Sequence, residues 1–136
     1  MKSQSPQGGA ILNTASQAGV DGPPNMPAYS ASKSAVIGLT KTAAKDLAPH
    51  GVRVNSLSPA FVGDCMMWDR QRELQAGAGS HYYDSDPKVV SSQMINACPM
   101  RRCGSLAEVA GVVAFLLSPD STYVSAANVP VTGGFP

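Results

Sequence analysis

APHGVRVNSLSP, residues 48 to 59, decides how the chain folds. Pro49 and Gly51 stop a helix, residues 52–58 alternate apolar with polar side chains, and Pro59 closes the run, so the stretch reads as helix stop, strand and loop. Upstream, apolar and small residues recur at helical spacing from Ala28 to about Ala48. Before that stands AILNT, residues 10–14, a short strand-like run, separated from the helix by the Gly- and Pro-rich loop GVDGPPNMP. Strand, long helix and strand in that order predict a crossover connection and parallel pairing.

Downstream, residues 60–103 are polar and irregular, with predicted helices at Met67–Gln75 and Pro87–Ala97. A long excursion between regular elements reads as a substrate lid. Ser105 and Glu108, three apart, form a capping box ahead of VAGVVAFLL, a helix that ends at Ser118-Pro119. NVPVTGG supplies a last strand, in which Pro130 argues against a central position. The expectation is a single α/β domain over residues 1–136, with about three parallel strands, one long helix and a helical lid.

A chain of 136 residues, 43% hydrophobic and 14% charged, with a formal net charge of +1, gives no electrostatic reason to expect nucleic acid or a membrane as partner. The start MKSQSPQGG has no apolar signal region, and no window approaches 18 uninterrupted apolar residues. Cys65, Cys98 and Cys103 form neither a CxxC pair nor a zinc spacing, which predicts reduced thiols, no metal site and a cytoplasmic setting.

Chemistry centres on Tyr29 and Lys33, four apart and therefore on one face of the long helix. A free phenol has a pKa of about 10 and is a reluctant base near neutrality. An ammonium beside it, in a pocket with little water, favours the phenolate. Ser16, thirteen residues earlier, falls at the end of the first strand, where α/β sheets present ligand groups, and its hydroxyl can hold a substrate oxygen while Tyr29 handles the proton.

NTAS, YSASK, LAPHGVRVNSLSP and a terminal GG, in this order and spacing, resemble the short-chain dehydrogenase/reductase family over nearly the whole chain. The resemblance implies the C-terminal half of a Rossmann-like doubly wound sheet. It implies Ser16, Tyr29 and Lys33 as catalytic residues, with Tyr29 and Lys33 also meeting the nicotinamide ribose. Pro59, Ala60 and Val62 match the segment whose backbone meets the nicotinamide carboxamide. Ala60 replaces the family's glycine, where a methyl group would obstruct a positive φ. Asp64 stands where threonine is common near the pyrophosphate, and Ser125-Ala126 departs from the common Thr-Gly.

MWDRQRELQ, GSHYYDSDPKVVSSQMI and PMRRCG resemble the NAD-dependent xylitol (polyol) dehydrogenases of the family. Trp68, His81 and Tyr82 are candidates for a polyol pocket or for lid packing, and Arg101 and Arg102 for capping the lid. The implied cofactor is NAD, with NADP open because the residue that selects between them lies in the family's N-terminal half. That half also carries the glycine-rich phosphate turn, and neither has a counterpart here; Gly77-Ala78-Gly79 lacks the third glycine and a preceding strand. A complete enzyme for another substrate, for example an acyl-carrier reductase of the same family, is a lesser reading; two lead: the catalytic half of an alcohol/ketone oxidoreductase, or a truncated, non-catalytic remnant. In both, the open side of the first strand and the long helix predict a homo-oligomer.

Overall fold

The computed structural model describes residues 1–63 and 65–135, so the expectation placed on Asp64 lies outside the described residues. Three strands, β1 (Gly9–Thr14), β2 (Val52–Pro59) and β3 (Asn128–Val131), form one parallel sheet in the order β1-β2-β3. The register sets Gly9 opposite Val52 and Thr14 opposite Leu57, then Ser56 opposite Asn128 and Pro59 opposite Val131. This is the expected α/β half-sheet, and Pro130 is accommodated because β3 pairs on one side only among the described residues.

A four-residue turn, α1 (Ala18–Asp21), follows β1, and the long helix α2 (Pro27–Leu47) returns the chain to β2 through a 3-10 turn at Ala48–His50. Pro27 at the first helical position and Gly51, with φ 66° after Pro49, explain where α2 starts and stops. α1 lies where the Gly- and Pro-rich pattern predicts loop, since four residues carry no helical period. Beyond β2 come α3 (Met66–Gly77), α4 (Pro87–Ala97) and α5 (Leu106–Leu117). The capping box at the start of α5 is formed: the Glu108 amide donates to Ser105 Oγ and the Ser105 amide to the Glu108 carboxylate.

Alternation along β2 turns Val52 and Val54 toward α2, where they pack with Ala44, Ile11 and Leu47. Its polar letters face protein as well. Arg53 donates to the carbonyls of Leu116, Ser118 and Val124 at 2.9 to 3.2 Å, which satisfies the last turn of α5. Asn55 bridges the Val124 carbonyl and the Ala127 amide, and Ser56 and Ser58 both donate to Asn128 Oδ1. The strand is thus buried on both faces, and its side-chain hydrogen bonds fasten α5 and β3 to it.

Two helices leave apolar surface open. On α2 only Thr40 and Ala44 are buried, while Leu39 is 63% exposed. On α5, composed of LAEVAGVVAFLL, only Leu116 is buried. A second, smaller core joins α3 to α4 through Trp68, Ala76, Val90 and Met94, with Phe61, Cys65 and Tyr83 against it. Among the described residues, no helix is long and apolar enough to cross a membrane.

Candidate active site

The carboxyl ends of β1 and β2 open onto a cavity of about 850 Å³, closed on its far side by α3 and α4. Pairing of β1 with β2 continues past the last strand residue: the Ala15 amide donates to Leu57 O at 2.8 Å and the Gln17 amide to Pro59 O at 3.0 Å. Ser16 is thereby pinned between two ladder bonds at the rim, and its Oγ accepts from the Ala18 amide at 3.2 Å. Its hydroxyl hydrogen remains available to a ligand oxygen.

Tyr29 and Lys33 enter the same cavity from the first turns of α2. Lys33 Nζ donates to the Thr14 carbonyl at 3.0 Å and lies 5.7 Å from the centre of the Tyr29 ring. The ammonium is therefore fixed to the end of β1 and placed on the tyrosine's side of the helix. Tyr29 is 39% exposed, so the expected exclusion of water is not achieved by this chain's own residues.

Position depends on a close approach between α1 and α2. A Cβ built on Gly19 would lie 2.7 to 2.8 Å from backbone and Cβ atoms of Lys33 and Ser34, so only glycine lets the two segments touch. Ser34 Oγ completes the contact by donating to the Gly19 carbonyl at 2.7 Å.

Pro59, Ala60 and Val62 line the cavity with Ser16, Tyr29 and Lys33. Ala60 lies outside the positive-φ region, and its amide donates to Val131 O at 3.1 Å, so the methyl group costs no backbone strain. Strain falls instead on Ala126, at φ 63°, a left-handed conformation that favours glycine. Val62 sits in a parallel bridge with Gly104 whose two bonds run from Gly63 N to Gly104 O and from Gly104 N to Phe61 O. The peptide groups of Val62 itself therefore face away from Gly104.

The helical wall corrects part of the sequence reading. Trp68 belongs to the α3–α4 core and also lines the cavity. His81 and Tyr82 do not line it; they lie in the exposed turn beyond Gly79, their rings 4.1 Å apart. Tyr83 faces the cavity instead, and burial pushes its phenol above the usual tyrosine value. Arg102 forms a two-pronged pair with Glu108, at 2.9 and 2.6 Å, which keeps that carboxyl down at about 2 with help from the Ser105 amide. Asn25 and Gln75 also reach the cavity and bond to each other; their spacing of 50 residues left no local signal. Among the described residues, no three His, Cys, Asp or Glu side chains are placed to hold a metal ion.

A family profile described as enoyl-(acyl carrier protein) reductase matches residues 1–136. Levodione reductase of Leifsonia aquatica is 35% identical over 126 residues, 93% of this chain and 44% of that protein. Human (3R)-3-hydroxyacyl-CoA dehydrogenase is 38% identical over 126 residues, 93% and 42% respectively. A crystal structure of NAD+-bound xylitol dehydrogenase superposes with a TM-score of 0.90 at 58% identity, covering 92% of this chain and 48% of that one. The chain thus spans less than half the length of each of these relatives.

Proposed function

Since the chain belongs to the short-chain dehydrogenase/reductase family, we propose that it is the catalytic half of an oxidoreductase exchanging hydride between NAD and a secondary alcohol or ketone, with a sugar alcohol such as xylitol as substrate. The carrying observation is the meeting of Ser16, Tyr29 and Lys33 on one cavity at the carboxyl end of the sheet. Ser16 holds the substrate oxygen through its hydroxyl. Tyr29 takes the proton from the alcohol, or returns it to the ketone. Lys33 supplies the positive charge that offsets the phenolate, held in place by the Thr14 carbonyl.

The residues present fit the nicotinamide end of the cofactor. Val62 turns its peptide groups away from Gly104, Ala60 adds no strain, and Lys33 lies within the same cavity. When bound there, NAD supplies the hydride acceptor. Among the described residues, no strand, glycine-rich turn and helix unit faces the cavity, so in this reading the adenosine end is held by a further βαβ unit like the one in the family's N-terminal half.

Xylitol is favoured by the 58% identity to the xylitol dehydrogenase over 92% of the chain. A second substrate reading, an alicyclic ketone, is favoured by the apolar wall of Phe61, Met67, Trp68, Leu74 and Met94 and by the likeness to levodione reductase. The open face of α2 suits a homo-oligomer, and the free thiols of Cys65 and Cys98 a reduced, cytoplasmic setting.

The test is NADH absorbance with the purified protein, using xylitol with NAD and a cyclic diketone with NADH. Turnover that vanishes in Tyr29→Phe supports the catalytic reading, and the preferred substrate separates the two classes. If the 136-residue chain turns over neither, and still turns over neither after fusion to the N-terminal half of a relative, the non-catalytic remnant is the better account.

A further inference from the structure

We propose that Gln75 and Asn25 form a positioning latch that fixes the α3 wall of the cavity to the segment from which Tyr29's helix starts. This inference rests on the oxidoreductase reading for its kinetic consequence and on geometry alone for its mechanical one. Gln75 is 4% exposed, and both ends of its amide are engaged across the cavity: Oε1 accepts from Asn25 Nδ2 at 2.8 Å, and Nε2 donates to the Pro24 carbonyl at 3.4 Å. Asn25 Nδ2 also donates to Ser80 Oγ, at 2.9 Å, just beyond the end of α3. Asn25 adopts φ 65°, a left-handed conformation that asparagine tolerates better than most residues. Met26 and Pro27 then begin α2, and Tyr29 follows four residues after Asn25.

The arrangement matters because α3 and α4 have their own small core, separate from the one under the sheet. Phe61, just after β2, packs on Trp68 and holds the first turn of α3 to the sheet. The latch holds the other end, since it ties the last turn of α3 to residues four and five positions ahead of Tyr29. A buried amide with both ends engaged is also costly to break without replacement, which makes the setting definite.

The clean perturbation is Asn25→Gly, which keeps the left-handed backbone accessible and removes only the amide. Gln75→Glu is its companion; it retains an acceptor for Asn25 and loses the donor to Pro24. In the active holoenzyme, Asn25→Gly is expected to raise KM for the alcohol about tenfold with kcat within about threefold, because the wall moves while Ser16, Tyr29 and Lys33 remain in place. Amide hydrogen exchange of residues 74–85 in the intact protein is expected to quicken about tenfold, with β2 unchanged. Gln75→Glu should fall between wild type and Asn25→Gly on both readouts. If exchange at 74–85 stays at the wild-type rate in Asn25→Gly, the latch is overturned, whatever the activity. If exchange quickens but no alcohol or ketone is turned over by wild type, the latch stands and the oxidoreductase reading fails. Quickened exchange with unchanged KM overturns the positioning role.

Discussion

Replacing Gly19 by alanine tests the packing on which the whole site depends. The new Cβ would stand 2.7 Å from the Lys33 carbonyl carbon and 2.8 Å from Lys33 Cβ and Ser34 N. Two of the three atoms are backbone within α2, so no rotamer change relieves the contact. Restoring an ordinary separation of at least 3.4 Å requires α1 to withdraw by about 0.7 Å. That movement strains the Ser34 Oγ to Gly19 O bond at 2.7 Å and pulls on Ser16, whose carbonyl accepts from the Gly19 amide at 2.9 Å. Overpacking of this kind costs about 1–3 kcal/mol. A shift approaching 1 Å at a catalytic group costs up to about 100-fold in rate. Urea denaturation followed by circular dichroism gives the first quantity and NADH-coupled turnover the second. Gly38→Ala is the control, since a Cβ there meets nothing within 4 Å and an interior helical glycine replaced by alanine gains about 0.5–1 kcal/mol. A Gly19→Ala protein with the wild-type denaturation midpoint and the wild-type rate would refute the reasoning.

Ala126→Gly is expected to stabilise the chain by about 0.5–1 kcal/mol, because relief of the left-handed strain at φ 63° exceeds the added backbone entropy; calorimetry or urea melts check it. Arg53→Met removes one donor from each of three carbonyls, which keep Asn55 Nδ2 on Val124 and Ser121 Oγ on Leu116 and Ser118, and should destabilise by about 1–3 kcal/mol, seen as a lower urea midpoint. Glu108 is held at about 2, below the ordinary carboxyl value of 4.5, so its contribution is complete above about pH 4.5 and disappears as pH falls through 2. Glu108→Gln should therefore lower stability at neutral pH and flatten the acid limb between those values in melts at graded pH.

Patterns that repeat along the chain were readable. The bounds of β2 and α4 coincide with the sequence expectation, and those of β1, α2 and α3 differ by one or two residues, because periodicity and proline or glycine stops act locally. Ser16, Tyr29 and Lys33 were legible for a related reason: strand ends and helical faces follow from spacing, and the fold brings all three to one cavity. The wall was less legible. His81 and Tyr82 adjoin Tyr83 in sequence, yet only the last faces the cavity, because the turn after Gly79 sets which ring points inward. Asn25 and Gln75 were missed since their partnership exists only after α3 folds back over the start of α2. Backbone conformation at the two alanines was not legible either: Ala60 is at ease in its backbone region, and Ala126 carries the unusual φ.

The most direct measurement is a crystal structure of the protein fused to the family's N-terminal half, with NAD and the substrate alcohol bound. The account predicts an alcohol oxygen within about 3.2 Å of both Ser16 Oγ and the Tyr29 hydroxyl, with Lys33 still anchored on Thr14. An alcohol seated elsewhere, or a Tyr29 hydroxyl turned away from it while Ser16 keeps its place, would contradict the assignment of Tyr29 as the group that moves the proton.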